Sequence, residues 1–265
     1  MTTTMNFSTT RIEADDRTVD ALVRRARPEL QRAMKLIRRP QARVAIAPSP
    51  IGKLFIAQGP RGLVTVHFLA IRDAARSLDL LRRRFDLIVN EPSTAVLRHY
   101  VDRYFAGDLS VLALPVDLSL VESDFQRRAL TRLRSVPPGA VISYQGLAAA
   151  LGHPEAQRAV GNTMASNPVP IFVPCHRVIK SDGTIGNYGG GVKRKIILLR
   201  TEGFVVRGDL KLPAQAVLGH QKSRIFCRPE CSAAKRAGQA NELIFADAAH
   251  AQDAGLRACK ICRPA

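Results

Sequence analysis

The sequence has no tryptophan, and aromatic residues make up only 5% of its 265 positions. A core drawn from its 46% hydrophobic residues is therefore mainly aliphatic. No apolar run reaches the roughly eighteen residues a membrane-spanning helix needs, so no such span is expected. The opening stretch, MTTTMNFSTTRIEADDRT, lacks the apolar centre of a signal peptide, and a cytoplasmic location is expected. Acidic residues are scarce: 22 Asp and Glu stand against 40 Lys and Arg, a formal net charge of +18. So basic a chain is attracted to polyanions, nucleic acid first among them. The blander reading is an arginine-rich composition at large.

Cysteine is also sparse, and its five positions are ordered. Cys175 stands alone. Cys227 and Cys231, then Cys259 and Cys262, form two close pairs. In a reducing compartment paired spacings of this kind read as metal ligands before disulfides. The count divides into one candidate nucleophile and four candidate ligands.

Residues 1–40 read as a polar start followed by an amphipathic helix through Leu22, Val23, Leu30, Met34 and Ile37, with arginines on the other face. Residues 41–118 read as three short strands, near Val44–Ala47, Leu54–Ala57 and Leu63–Phe68, punctuated by Pro48–Gly52 and Gly59–Gly62. Helices follow over 74–85 and 93–105. That order predicts a small α+β unit with an antiparallel sheet.

Residues 119–206 are mostly helical. Asp124 is the expected N-cap of a helix carrying Ala129, Leu130 and Leu133 inward. Two short helices, 145–151 and 155–164, flank the turn Gly152-His153-Pro154, which fits a helix-turn-helix. The segment after Asn167 is forced extended by Pro168 and Pro170 and leads into Pro174-Cys175-His176-Arg177. A thiol is a useful nucleophile as thiolate, and an imidazole beside it is the common way to reach that state near neutral pH. A last helix from Val192 to about Arg200 is expected to end at Gly203.

Residues 207–222 read as a linker, and 223–265 as a separate small unit. It holds a strand near Leu243–Phe245 and a helix over 248–254. So small a piece needs a metal or disulfides to fold. Cys227, Cys231, Cys259 and Cys262 suit tetrahedral Zn²⁺, expected as a structural ion.

The stretches VPPGAVISYQGLAAALG, QRAVGNTMASNPVPI, VPCHRVI and GNYGGG…LLRTEG are dense and collinear. On them, residues 119–206 resemble the methylated-DNA–protein-cysteine methyltransferases. SPIGKLFIAQGPRGL and YFAGDLSVLALPVDL extend the resemblance more loosely over 41–118. It implies irreversible transfer of an alkyl group from O6 of guanine, or O4 of thymine, in double-stranded DNA onto Cys175. His176 would be the base through a water, Glu202 would orient His176, and Tyr144 would donate a proton to the departing guanine. Asn167 would brace the turn before Cys175. Arg158 would fill the gap in the base stack, with Ala159 and Gly161 small enough for close approach to DNA. Tyr188, Gly189, Val178 and Pro170 would line the base pocket. No organic cofactor and a monomeric protein are implied. A non-catalytic sensor of alkylated DNA is the alternative, and Cys175 argues against it. Gly189, Ile196, Ile197 and Leu130 depart from the family's usual residues, which predicts altered packing or substrate size.

The C-terminal unit resembles the zinc-binding module of the Ada repair protein, through Cys227-Arg228-Pro229, Cys231 and Cys259…Cys262-Arg263-Pro264. There the first cysteine is both a zinc ligand and an acceptor of methyl from DNA phosphotriesters. A purely structural knuckle that adds DNA affinity through Arg224, Arg228, Lys235, Arg236, Lys260 and Arg263 is the other reading.

Overall fold

A computed structural model describes residues 20–29, 39–69, 74–235 and 242–264. It divides into two compact units, residues 1–39 and 40–265. In the first, helix α1 covers residues 20–29, with Leu22 and Val23 exposed. The expected continuation of that helix through Leu30, Met34 and Ile37 lies outside the described residues.

The second unit opens with β1 (Gln41–Ala47), β2 (Leu54–Gly59) and β3 (Gly62–Phe68) as an antiparallel meander. Helix α2 (Ala74–Arg84) leads to β4 (Asp86–Ile88). β4 pairs parallel to β1, so the sheet, in the order β3-β2-β1-β4, is mixed at one edge. This strand escaped the sequence reading because three residues show no period. Helix α3 (Glu91–Phe105) starts where the Asn90 side chain accepts a hydrogen bond from the Ser93 N–H, and Pro92 fits its first turn. Leu97, Val101 and Tyr104 face inward from it.

The active half begins at α4 (Asp124–Leu133), whose capping side chain is Ser123 and not Asp124. Asp124 is instead the first helical residue, where its charge suits the helix dipole. Next comes β5 (Ala140–Ser143), a strand absent from the sequence reading. Ser143 then caps α5 (Tyr144–Ala150) by accepting from the Gly146 N–H at 2.9 Å. α6 (Gln157–Ala165) follows and packs on α4 and α5, giving the helix-turn-helix. A single 3₁₀ turn, Cys175–Arg177, precedes β6 (Val178–Ile179), and α7 (Val192–Thr201) closes the half.

The remaining elements are β7 (Val217–His220), β8 (Ile225–Cys227), α8 (Ser232–Lys235), β9 (Glu242–Phe245), α9 (Ala248–Asp253) and β10 (Arg257–Ala258). The stretch read as a linker, 207–222, therefore contains a strand. β7 lies inside a six-stranded sheet of order β10-β8-β7-β9-β5-β6. Its sequence, VLGH, is short and interrupted by glycine, and two neighbouring strands define it. The separateness expected of the C-terminal unit is also corrected: β9 pairs with β5, joining the module to the active half in one sheet. The architecture is α+β. Among the described residues no helix is long and apolar enough to cross a membrane.

Candidate active site and metal centre

The segment leading to the cysteine is held shut by Asn167. Its side-chain N–H donates to the Val173 carbonyl at 2.8 Å, and its Oδ1 accepts from the Val169 N–H at 3.0 Å. Within this loop Ile171 has φ of 76°. A β-branched residue in the left-handed region costs about 1–3 kcal/mol and persists only where its surroundings impose it. The Pro168 carbonyl accepts from the Val66 N–H at 2.8 Å and the Thr65 hydroxyl at 3.0 Å, so β3 anchors the loop from outside. Asn167→Ala leaves the buried Val169 N–H unpaired and takes from the Val173 carbonyl one of its two donors, the Cys175 N–H being the other. It is expected to cost about 2–3 kcal/mol, read as a fall in Tm of about 6 °C by calorimetry.

Cys175 sits at the end of this loop, buried, its N–H donating to the Val173 carbonyl at 2.8 Å. Burial pushes its thiol above the ordinary value, while Asn167, the Tyr188 hydroxyl and the Lys195 charge pull part of the way back. The cysteine alone is thus a poor thiolate near neutral pH and needs a base.

His176 is fully buried, and its Nε2 lies 2.9 Å from Glu202 Oε1. Burial lowers its pKa, so the imidazole is neutral. An ionised Glu202 accepts a hydrogen bond, which places the ring proton on Nε2 and leaves Nδ1 as the basic nitrogen. Nδ1 is buried without a protein partner.

Glu202 also takes Arg177 Nε on Oε2 at 2.6 Å, and Arg177 Nη2 and the Tyr104 hydroxyl on Oε1, both at 2.8 Å. Burial alone would raise this carboxyl, but His176 and Arg177 outweigh it and bring it to about 2. Tyr104 moves the other way: burial first, then the Glu202 charge, hold its hydroxyl well above the usual range.

Tyr144 opens α5 half-buried, its pKa raised by burial and then by nearby Cys175. The Tyr188 hydroxyl lies 3.9 Å from Cys175 Sγ. Burial and Cys175 push that phenol well up as well. Gly189 is exposed beside it, and Pro170 is buried under the cysteine loop. Val178 lies fully in the core, paired with Ile142 on β5, and offers no exposed surface. Arg158 and Ala159 are exposed on α6, and a Cβ at Gly161 would meet open space. That face of α6 is therefore free of packing obligations. The atypical Leu130 simply fills the core, and Ile196 and Ile197 pack half-buried at its edge.

Four residues of the site went unread. Arg177 was visible beside His176 but gave no hint of its partner. Tyr104 reaches Glu202 from α3, 98 residues away in sequence, and among apolar helix positions it carries no signal. Lys195 is fully buried on α7, donating to the Val178 carbonyl at 2.6 Å and to the Ile185 carbonyl. Burial lowers its pKa to about 8, with Cys175 opposing. Arg194 donates to the Ile51 carbonyl at 2.7 Å and the Gly190 carbonyl at 2.6 Å, and stacks 5.1 Å from the Phe68 ring centroid. It ties the glycine loop beside Tyr188 to the first sheet.

In the C-terminal module the sulfurs of Cys227, Cys231, Cys259 and Cys262 lie within 4.8 Å of one another. Burial, and then the neighbouring thiols, raise the Cys227 thiol strongly. The backbone N–H groups of Cys262 and Ile261 lower Cys259 to about 7. The Arg228 N–H donates to Cys262 Sγ at 3.4 Å. Four thiolates so close repel one another unless a cation lies between them. Soft sulfur donors in a fourfold set fit Zn²⁺ and not a hard cation such as Mg²⁺ or Ca²⁺. The ion would hold β8 and the C-terminal turn together as a structural centre.

Comparison with known proteins matches two stretches of the chain. Residues 124–204 match the DNA-binding domain of 6-O-methylguanine DNA methyltransferase, and residues 204–265 match the metal-binding domain of Ada. The methylated-DNA–protein-cysteine methyltransferase of Cricetulus griseus is 39% identical over 173 residues, covering 60% of this chain and 81% of that protein. The bifunctional transcriptional activator/DNA repair enzyme Ada of Escherichia coli is 36% identical over 163 residues, 60% of this chain. The match spans less than half of Ada's length, 45%. The solved O6-methylguanine methyltransferase of Mycobacterium tuberculosis superposes with a TM-score of 0.51 at 34% identity, over 61% of this chain and 93% of that one. The Mycobacterium tuberculosis OGT structure in complex with DNA matches equally, with the same TM-score, identity and coverage.

Proposed function

The chain belongs to the methylated-DNA–protein-cysteine methyltransferase family, and from that premise we propose that it repairs O6-alkylguanine in double-stranded DNA by moving the alkyl group irreversibly onto Cys175. The observation that carries the reading is the buried set Cys175, His176 and Glu202 beside the helix-turn-helix. O6 faces the interior of a duplex, so the base must be turned out before sulfur can reach it. Arg158, on the exposed face of α6, takes the place of the lost base. Ala159 and Gly161 let the helix lie close to the groove.

In the reaction the Cys175 thiol proton passes through one water to His176 Nδ1. The sulfur then forms a bond to the alkyl carbon as the carbon–O6 bond breaks. Tyr144 donates its phenolic proton to the departing guanine, and the imidazolium returns a proton to Tyr144 through solvent. Glu202 keeps Nε2–H oriented and stabilises the positive imidazolium. The product is a thioether, which carries no acidic proton and no good leaving group, so one protein repairs one lesion. O4-alkylthymine presents the same carbon–oxygen bond and is a second substrate. No organic cofactor enters this scheme. The protein works as a monomer, in the cytoplasm at the nucleoid.

The four-cysteine module contributes DNA affinity through the exposed Arg224, Arg228, Lys260 and Arg263. Arg236, expected to share this role, lies outside the described residues. Cys227 is buried within the metal set, which favours a structural role over a second methyl acceptor. A lesion sensor without chemistry is disfavoured because Cys175 and its base are both present.

Arg158→Ala removes the wedge. A loss of about 2 kcal/mol in holding the base out is about thirty-fold in rate, seen in single-turnover kinetics with unchanged chemistry on the free base. The reading as a whole is tested by titrating protein into duplex carrying one O6-methylguanine and scoring restored guanine. Repair is expected to stop at one lesion per protein. Multiple turnovers, or no restored guanine at any ratio, would reject it.

A further inference from the structure

The C-terminal module lies against the turn that carries Glu202. We infer that His250 is a positioning residue for the Glu202 carboxylate, and that metal binding at the four cysteines sets the reactivity of Cys175 through it. The inference rests on the reading of Glu202 as the group that orients His176.

His250 stands in the first turn of α9. Its Nδ1 lies 2.8 Å from Asp247 Oδ1, and its backbone N–H donates to the same oxygen at 2.9 Å. The ring is thus fixed at both ends of the residue. It is wedged between two glycines of the active half. A Cβ at Gly139 or at Gly203 would collide with the ring, and both glycines have left-handed backbones, φ 71° and 83°. Gly203 directly follows Glu202. The Phe204 N–H donates back to the Leu199 carbonyl at 2.8 Å, closing α7 at this point. Gly139 directly precedes β5, and its carbonyl accepts from the Ala246 N–H at 2.9 Å. One imidazole therefore bridges the turn behind Glu202 and the start of the strand that leads into Tyr144.

A continuous hydrogen-bonded ladder links this wedge to the metal ligands. Cys227 on β8 pairs with Leu218 on β7, Leu218 pairs with Ile244 on β9, and Ile244 pairs with Val141 on β5. β5 in turn pairs Ile142 with Val178, three residues beyond Cys175. Side chains follow the same path: Ala246 packs with Val141, Leu199 and Phe204 in one buried cluster. The four thiolates stay together only around a cation, so the metal holds the outer end of this shared sheet in place. Once the metal is gone, β9 and α9 lose their support and the wedge leaves Gly203. Glu202 then keeps its charge partners but loses the fixed backbone behind it, and His176 loses its orientation. The coupling is carried by packed and hydrogen-bonded elements, the physical form such coupling takes.

The test uses the full chain and no DNA. Zinc is removed with 1,10-phenanthroline, and His250→Ala and His250→Phe are made with zinc retained. Two quantities are read: amide hydrogen exchange over residues 199–206, and the rate at which iodoacetamide alkylates Cys175, followed by peptide mapping. Zinc removal and His250→Ala are each expected to speed exchange at Gly203 and Phe204. Each should slow Cys175 alkylation at neutral pH about tenfold, a part of the hundredfold or more that a positioned base supplies. His250→Phe, which keeps the wedge without the Asp247 bond, should recover most of the rate. Faster exchange confined to residues 217–264, with Cys175 unaffected, would overturn the inference. So would loss of protection throughout β1–β3, which marks global unfolding, or a zinc-loaded His250→Ala with normal exchange and rate. If His250→Ala does not fold, the chelation arm decides alone. Because iodoacetamide replaces the DNA lesion, failure here leaves the repair reading standing, and failure of repair leaves this result readable.

Discussion

Cys175→Ala abolishes alkyl transfer completely while the protein still folds and still binds DNA. The substitution removes one sulfur from a buried position and leaves a methyl group of similar backbone demand. The stability cost is about 1 kcal/mol, at the low end for a core truncation. The chemistry has no substitute: among the described residues the remaining cysteines all belong to the four-sulfur centre. Gel-shift affinity for a duplex with O6-methylguanine should stay within a few-fold of wild type, since phosphate contacts dominate it. Restored guanine should be undetectable. Transfer persisting in this variant would place the acceptor elsewhere.

Glu202→Gln is expected to have the second largest effect, on rate and stability together. The carboxylate is the hub of four hydrogen bonds from three residues, all buried. Removing its charge strands the Arg177 guanidinium, whose other contact is the Val136 carbonyl. Breaking a buried pair in this way costs about 3–5 kcal/mol, or about 10 °C in Tm for a chain of this size. The alkyl-transfer rate should fall about a hundredfold or more, because His176 loses the partner that fixes its tautomer.

The pH dependence follows from the same residues. Glu202 is depressed to about 2 in the fold, against about 4.3 in an unfolded chain. Its stabilisation is fully present above the unfolded value and is lost as pH falls through the folded one, so the acid limb of Tm against pH should flatten in Glu202→Gln. His176 is held below its ordinary value by burial. The neutral base is therefore available above that lowered pKa, and the wild-type rate should drop as pH falls through an apparent pKa under about 6.5. Stopped-flow transfer rates against pH check this limb.

The chemistry was more legible in the sequence than the architecture. Cys175 and His176 stand adjacent, Asn167 falls before a proline-stiffened loop, and the ligands form two spaced pairs; each is a local signal. The first sheet was readable where strands were long enough to alternate, and β4 was not. What stayed hidden was non-local. Tyr104 looks like any inward aromatic of α3, and only the folded chain aims its hydroxyl at Glu202. β5 and β7 are four-residue strands whose state is decided by β9 between them, and no window of sequence contains all three. The linker reading of 207–222 failed for that reason. His250 was unremarked because its meaning lies in two glycines far away, Gly139 and Gly203. Each of them looked like an ordinary turn residue.

The most direct measurement is the intact mass of the protein after incubation with O6-methylguanine duplex, followed by peptide mapping. The account predicts a gain of one methyl group, about 14 Da, on the peptide that carries Cys175 and on no other. An unchanged mass with tight binding to the alkylated duplex would contradict it and leave a lesion-binding protein without transfer.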